Sequence, residues 1–372
     1  MQARRWRLGG LLLAAMLLLA GCEFAGPQSA LDPAGPVAQA QKDIFVWTLW
    51  LSVPVMLAVG GVLVYSLFRF RTTGSADAKA IPAQTHGNTV LEIGMVIVAT
   101  VIVVLVAVPT VRTIFATEQR VDVTALEPGD VLVRATGYQW WFKFEYPELG
   151  ITTANELIIP AGRRVVVELD SADVLHSFWV PNLAGKRDMI PNNRNQVWFV
   201  ADEPGTYFGQ CAELCLGAHA YMRFRVIAED DAGFDAWVDA FQTAADRTVQ
   251  ADPLVQRGQQ LVAQKGCIGC HTIDGYAPNV AVGNGDFPNL TNFGLRTTIA
   301  AAIAESTPEN LAAWLRDPQA LKPTNRMPTL WAADDPNADE EIDAIVAYLL
   351  SLGVPDAASA ALAQGGPIHG GQ

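Results

Sequence analysis

The sequence predicts a multidomain chain with three folded parts: a two-helix transmembrane hairpin, an all-β sandwich and an all-α C-terminal domain. Three observations carry that reading. Two uncharged apolar runs lie close together early in the chain, Ile44–Phe68 and Ile93–Val111. From about Arg120, short β-branched and aromatic runs alternate with turn residues, and beyond Asp252 the apolar pattern turns helical. A length of 372 residues exceeds one domain of ~150 residues. With 51% hydrophobic and 17% charged residues the chain cannot be disordered. A net charge of −13 argues against nucleic acid as a partner and suits a basic protein.

Arg4, Arg5 and Arg7 precede an uncharged stretch from Leu8 to Gly21 that ends Leu19-Ala20-Gly21-Cys22. A basic start, a short apolar run and small residues at its end describe a secretory signal, so residues 1–21 read as a signal peptide of lipoprotein type. The run falls short of the ~20 residues a membrane span needs. Its ending is similar to a bacterial lipobox, which implies cleavage before Cys22 and lipid on the Cys22 sulfur. Residues 22–43, rich in Pro, Gly, Ala and Gln, read as a tether.

Residues 44–116 form the hairpin. Its runs of 25 and 19 uncharged residues match the ~20 that cross a hydrocarbon core. Arg69, Arg71 and Lys79 lie between them, a basic loop expected on the cytoplasmic side. That puts both later domains on the periplasmic, extracytoplasmic side of a bacterial inner membrane. Glu92, at the inner mouth of the second span, reads either as an interfacial carboxylate or as a proton entry point. His86 has no assignable partner.

Residues 117–245 contain Val131–Ala135, Tyr138–Phe144, Glu156–Ile159, Arg164–Leu169, Gln196–Val200 and Met222–Val226, all strand-like, broken by Pro-Gly and Ala-Gly turns. Their chemistry lies in Cys211-Ala-Glu-Leu-Cys215-Leu-Gly-Ala-His219-Ala-Tyr-Met222, with His176 upstream. Two thiolates, two imidazoles and a thioether form a soft donor set suited to copper. A mononuclear site needs only one cysteine. Two thiolates bridging two copper ions use both, with one histidine on each metal and weak axial contacts from Met222 and the Glu213 carbonyl. A disulfide or a structural zinc are the rival readings; zinc leaves Met222 idle.

Residues 252–354 form the third domain. Asp252 and Pro253 open a helix that runs into Cys267-Ile-Gly-Cys270-His271, the attachment signal of haem c. Two thiols join the vinyl groups while His271 reaches the iron. A thioredoxin-like dithiol would leave His271 without a task. Met327 is the expected sixth ligand; Met189 belongs to the sandwich and is a poorer candidate. Ile342, Ile345, Val346, Leu349 and Leu350 recur at helical spacing, and residues 355–372 read as a flexible tail.

Two spans followed by Cys-x-Glu-x-Cys-x3-His-x2-Met resemble subunit II of haem–copper cytochrome oxidases over roughly Gln41–Ile227. The resemblance implies a cupredoxin-like sandwich with a dinuclear copper A centre held by His176, Cys211, the Glu213 carbonyl, Cys215, His219 and Met222. Gly137-Tyr-Gln-Trp-Trp-Phe is similar to the family's aromatic stretch, which implies electron entry at Trp140. Alternation along a single strand would instead put Trp140 in the core with Tyr138, Phe142 and Phe144. The resemblance further implies that the Glu213 side chain reaches a magnesium ion shared with subunit I, and that Glu92 serves proton uptake. Two departures stand out: Met95, Val96 and Ala99 replace the family's Trp-Thr-x-x-Pro, and Pro191-Asn-Asn-Arg194 replaces Pro-Gly-Arg. Asn289–Gly294 and Ala313–Pro318 look like haem-edge segments of class I cytochromes c.

The fusion resembles the caa-type branch of these oxidases. It implies that electrons pass from a cytochrome c donor through haem c and copper to subunit I, which works with the other oxidase subunits. Oxygen is there reduced to water and protons are pumped. The linker at 244–251 makes the haem-to-copper step intramolecular. A membrane-tethered carrier or redox sensor without an oxygen-reducing partner is the alternative. A nitrous oxide reductase would need a second, histidine-rich cluster that five histidines cannot build. A quinol oxidase subunit would lack the copper ligands.

Overall fold

The computed structural model describes residues 25–71, 86–244, 252–276 and 285–353. The signal peptide, Cys22, Lys79, the linker residues 245–251 and the tail 355–372 lie outside the described residues. Contacts divide the chain into one unit at 39–119 and another comprising the remainder.

The first unit holds most of α1 (Pro36–Arg69) and all of α2 (Thr89–Thr117), each long and apolar enough to cross a membrane. Asn88 caps α2, its side chain accepting from the Val90 and Leu91 amides at 3.1 Å. The Trp47 indole donates to the Leu105 carbonyl at 2.9 Å and ties the helices together. Glu92 is exposed in the first turn of α2.

In the second unit ten strands form two five-stranded sheets. The strands are β1 (Val131–Tyr138), β2 (Trp141–Tyr146), β3 (Ile151–Ala154), β4 (Glu156–Pro160), β5 (Val165–Ser171), β6 (His176–Trp179), β7 (Arg187–Met189), β8 (Asn195–Phe199), β9 (Gly205–Cys211) and β10 (Arg223–Glu229). One sheet runs β3-β2-β1-β5-β8 and the other β4-β10-β9-β6-β7. Between them Phe142, Phe144, Phe178, Phe199 and Phe224 are fully buried, with Phe142 and Phe178 each 4.7 Å from the Phe224 ring. Helix α3 (Asp231–Ala244) adds Phe234, Trp237 and Phe241 to that core.

Three sequence expectations change here. The single strand through Tyr138–Phe144 is instead a hairpin, with Tyr138 opposite Trp141 and Gln139-Trp140 in the turn. Trp140 therefore leaves the core face that Phe142 and Phe144 occupy. No glycine or proline marks this turn; Asp173 holds it from outside by accepting the Gln139 amide at 2.7 Å. Residues 25–38 are no free tether, because Val37 and Ala38 are buried and the Ala34 and Ala38 amides donate to the carbonyls of Asn182 and Leu183. Four strands and α3 escape sequence detection. β6 and β7 are too short to show alternation, and β9 carries two glycines.

The C-terminal domain packs α4 (Pro253–Gln264) across α7 (Ala338–Ser351), with α5 (Pro308–Arg316), α6 (Pro318–Leu321) and a two-stranded ribbon, β11 (Thr298–Ile299) with β12 (Ala304–Glu305). As the sequence indicates, Asp252 caps α4 by accepting the Leu254 amide at 2.7 Å. Ile342, Ile345, Val346 and Leu349 are buried. The helices cross so closely at Gly258 that a Cβ there would lie 1.9 Å from the Ala344 carbonyl oxygen.

Candidate functional site

β6 pairs with β9 so that Phe178 lies opposite Cys211, which brings His176 beside the end of β9. The loop from β9 to β10 then returns on itself, and the Cys211 amide donates to the Met222 carbonyl at 2.9 Å. That closure gathers the side chains the sequence singled out. The two Sγ atoms lie 3.8 Å apart. Cys211 Sγ is 3.9 Å from His176 Nδ1 and 3.2 Å from the Glu213 carbonyl oxygen. Cys215 Sγ is 3.4 Å from His219 Nδ1 and 3.8 Å from Met222 Sδ. All six donors belong to one cluster.

The cysteines are free thiols, far beyond the ~2.05 Å of a disulfide. They are also close enough for both to bind one ion, since two metal–thiolate bonds of about 2.3 Å reach further than their separation. A hydrogen bond from Cys215, helped by His176, pulls the Cys211 thiol down to about 4 against the effect of burial. The same bond and burial push Cys215 up. The pair thus shares a proton that metal binding would displace.

Asp173 was missed by the sequence reading, although it stands three residues before His176. Its Oδ1 lies 2.8 Å from His176 Nε2, which fixes the tautomer and leaves Nδ1 to face the thiols. Burial works to lower the His176 pKa, yet the bonds to Asp173 and Cys211 raise it. The Glu213 carboxylate, expected at a magnesium ion, is paired with Lys186 at 3.0 Å. Among the described residues it joins no cluster of three ligands.

Trp140 borders this cluster. Its indole Nε1–H donates to the Cys215 carbonyl at 2.9 Å, and Gln139 Nε2 donates to the same oxygen at 3.0 Å. The Trp140 ring lies over Gly217, where a Cβ would come within 2.2 Å of it.

The C-terminal domain holds a crevice with about 1400 Å³ of atom-free space, part of it open to solvent. Cys267, Cys270, His271 and Met327 line it together with Leu290, Phe293, Leu311 and Leu349. His271 Nδ1–H donates to the Pro288 carbonyl at 2.8 Å, leaving Nε2 free to bind a metal. Burial lowers its pKa and keeps the imidazole neutral, the ligating form. Two thiols, a neutral imidazole and a thioether in an apolar slot fit a covalently held haem. Gln139, Trp140, Lys322 and Arg326 line the same crevice, so its rim is shared with the sandwich.

The family models agree with this layout. "Cytochrome C oxidase subunit II, transmembrane domain" matches residues 27–113, "Cytochrome C oxidase subunit II, periplasmic domain" residues 149–229, and "Cytochrome c" residues 255–353. Cytochrome c oxidase subunit 2 of Alkalihalophilus pseudofirmus is 38% identical over 338 residues, covering 91% of this chain and 94% of the relative. The chain belongs to the cytochrome c oxidase subunit II family. The Bacillus subtilis cytochrome c oxidase subunit 2 is 35% identical and covers 94% of this chain and 98% of its own. Quinol oxidase subunit 2 of Bacillus cereus, at 33% identity, covers 66% of this chain and 84% of its own. The solved periplasmic domain of subunit II of the Bradyrhizobium japonicum cytochrome oxidase is 30% identical and covers 32% of this chain and 98% of its own, with a TM-score of 0.31. As a subunit II with a cytochrome c domain, the chain is a membrane-anchored part of an oxidoreductase complex with a role in electron transfer.

Proposed function

We propose that the chain is the electron-entry subunit of an oxygen-reducing cytochrome c oxidase. It takes electrons one at a time from a cytochrome c donor and passes them from its own haem c to a dinuclear copper A centre. From there they go to subunit I, where oxygen becomes water and protons are pumped. Haem iron and copper would each supply one-electron redox chemistry when bound. The residues of this chain do the rest. Cys267 and Cys270 would anchor the haem, and His271 and Met327 would ligate its iron. His176, Cys211, the Glu213 carbonyl, Cys215, His219 and Met222 hold copper. Asp173 and Pro288 orient two of the three histidines that would present nitrogens to metal, His176 and His271.

One observation carries the reading: Trp140 lines the haem crevice and donates through its indole to the carbonyl of Cys215. An electron leaving the crevice therefore meets a side chain already bonded to a copper ligand. Magnesium binding at Glu213 would need further ligands from subunit I and release of Lys186. Glu92 is proposed as a proton entry group, in keeping with its place in the first turn of α2. Both soluble domains are proposed to lie on the periplasmic side, with Cys22 carrying lipid.

The test is an optical spectrum, metal analysis and oxygen-uptake assay on the chain purified gently from its native membrane. Haem A absorbance, copper in excess of the two ions per haem c that this chain would bind, and oxygen consumption should co-purify. Haem c and copper without oxygen uptake would refute the oxidase assignment and leave a tethered electron carrier.

A further inference from the structure

The turn at Gln139-Trp140 is gripped from both sides. From the sandwich, its two side chains hold the Cys215 carbonyl. From the cytochrome domain, Lys322 Nζ donates to the Trp140 carbonyl at 2.6 Å and the Arg326 guanidinium donates to Gln139 Oε1 at 2.8 Å. Lys322 and Arg326 flank the segment that ends in Met327, and Asn325 Oδ1 accepts the Met327 amide at 2.6 Å. A short run of hydrogen bonds therefore links the Met327 loop of the haem crevice to the backbone carbonyl of Cys215, a residue of the copper cluster.

Lys322 is the telling member. Its side chain is 5% exposed, and burial pushes its pKa down to about 7. Placing an amine there costs free energy that a leucine or methionine would not, unless its hydrogen bond serves a purpose. The bond it makes goes to the backbone of Trp140, which fixes where that residue stands relative to the crevice. Other contacts between the two domains do not touch the turn: Glu156 binds Thr297 and Thr298, and Arg225 donates to the Ala302 carbonyl.

We infer that Lys322 and Arg326 are positioning residues for the haem-to-copper step, clamping the Gln139-Trp140 turn between the Met327 loop and Cys215. The inference rests on the proposed electron-entry function. In the step itself one electron leaves ferrous haem, which becomes ferric, and enters the oxidised copper pair; no bond is made or broken. The two residues act by holding geometry, and misplacement by about 1 Å in such an arrangement can cost about 10²-fold in rate.

The test uses the full chain in detergent, loaded with haem and copper, with K322M and R326Q compared with the parent. Haem c is reduced by a soluble one-electron photoreductant triggered by a light flash, and its reoxidation is followed together with the copper absorbance. Both variants should slow haem-to-copper transfer by about ten-fold or more. Reduction of the haem by an external donor and the copper signal should change far less than the transfer rate, a split that a merely structural role would not give. Amide exchange over residues 138–142, measured on the metal-free chain, should rise in both. Because the Arg326 side chain is exposed, R326Q decides the matter even where K322M fails to fold. Unchanged transfer and unchanged exchange in R326Q would overturn the inference. Absence of transfer in the parent would instead remove the electron-entry reading beneath it.

Discussion

Glu156 offers the sharpest test of how the two soluble domains are joined. It opens β4, is 3% exposed, and reaches into the cytochrome domain. Its Oε1 accepts the Thr297 and Thr298 hydroxyls at 2.8 and 2.6 Å and their amides at 3.1 and 2.7 Å, while Oε2 receives only the Thr297 amide at 3.2 Å. One oxygen does nearly all the accepting. In E156Q the amide oxygen can take that position, so the loss is the charge assistance, about 1–2 kcal/mol. E156A also orphans two backbone N–H groups at about 1–3 kcal/mol each, while both variants lose the carboxylate that favours the cationic form of Arg296 and Arg225. Together these amount to about 3–5 kcal/mol. Amide exchange at Thr297 and Thr298 reads the opening directly. At about 1.4 kcal/mol per ten-fold, E156Q should accelerate it about ten-fold and E156A by about 10² to 4 × 10³-fold. Equal acceleration in the two variants would show that charge, not the placement of one acceptor, holds the contact. No acceleration in E156A would refute the docking argument itself.

Three further outcomes follow from the geometry. D173N should lower copper affinity by about 10–100-fold while haem content stays constant, because His176 loses the partner that fixes its tautomer; metal titration measures this. G217A should displace the Trp140 ring, break its bond to the Cys215 carbonyl and slow haem-to-copper transfer with the haem spectrum unchanged, as flash spectroscopy would record. Lys322 should make stability depend on pH. Burial lowers its pKa from 10.5 to about 7, so between those values the unfolded chain binds more protons and stability rises with pH. The ceiling is about 5 kcal/mol, from ~1.4 kcal/mol per unit. Denaturant unfolding of the full chain in detergent should show that slope, and K322M should flatten it.

The membrane runs, the haem motif and the copper loop were legible because each is local. Cys267, Cys270 and His271 fall within five residues, and Cys211 to Met222 lie on one loop, so spacing alone carries their chemistry. Pro253 and Asp252 announced α4, and the apolar stripe of α7 is the one the sequence displays. Trp140 was the ambiguous case. Strand alternation put it on the core face, and the unmarked turn at Gln139 takes it off that face.

By itself, then, the amino-acid order determined which metals and which anchor this protein can carry, since those depend on ligand type, short spacing and run length. Only the tertiary structure decided how the two redox sites are joined. Glu156 meets Thr297 across 141 positions and Lys322 meets Trp140 across 182. The partner in the second case is a backbone carbonyl, a group that every residue possesses. A contact whose acceptor has no side-chain identity leaves no mark in the sequence; it exists only once packing has brought a buried amine to the carbonyl of one residue.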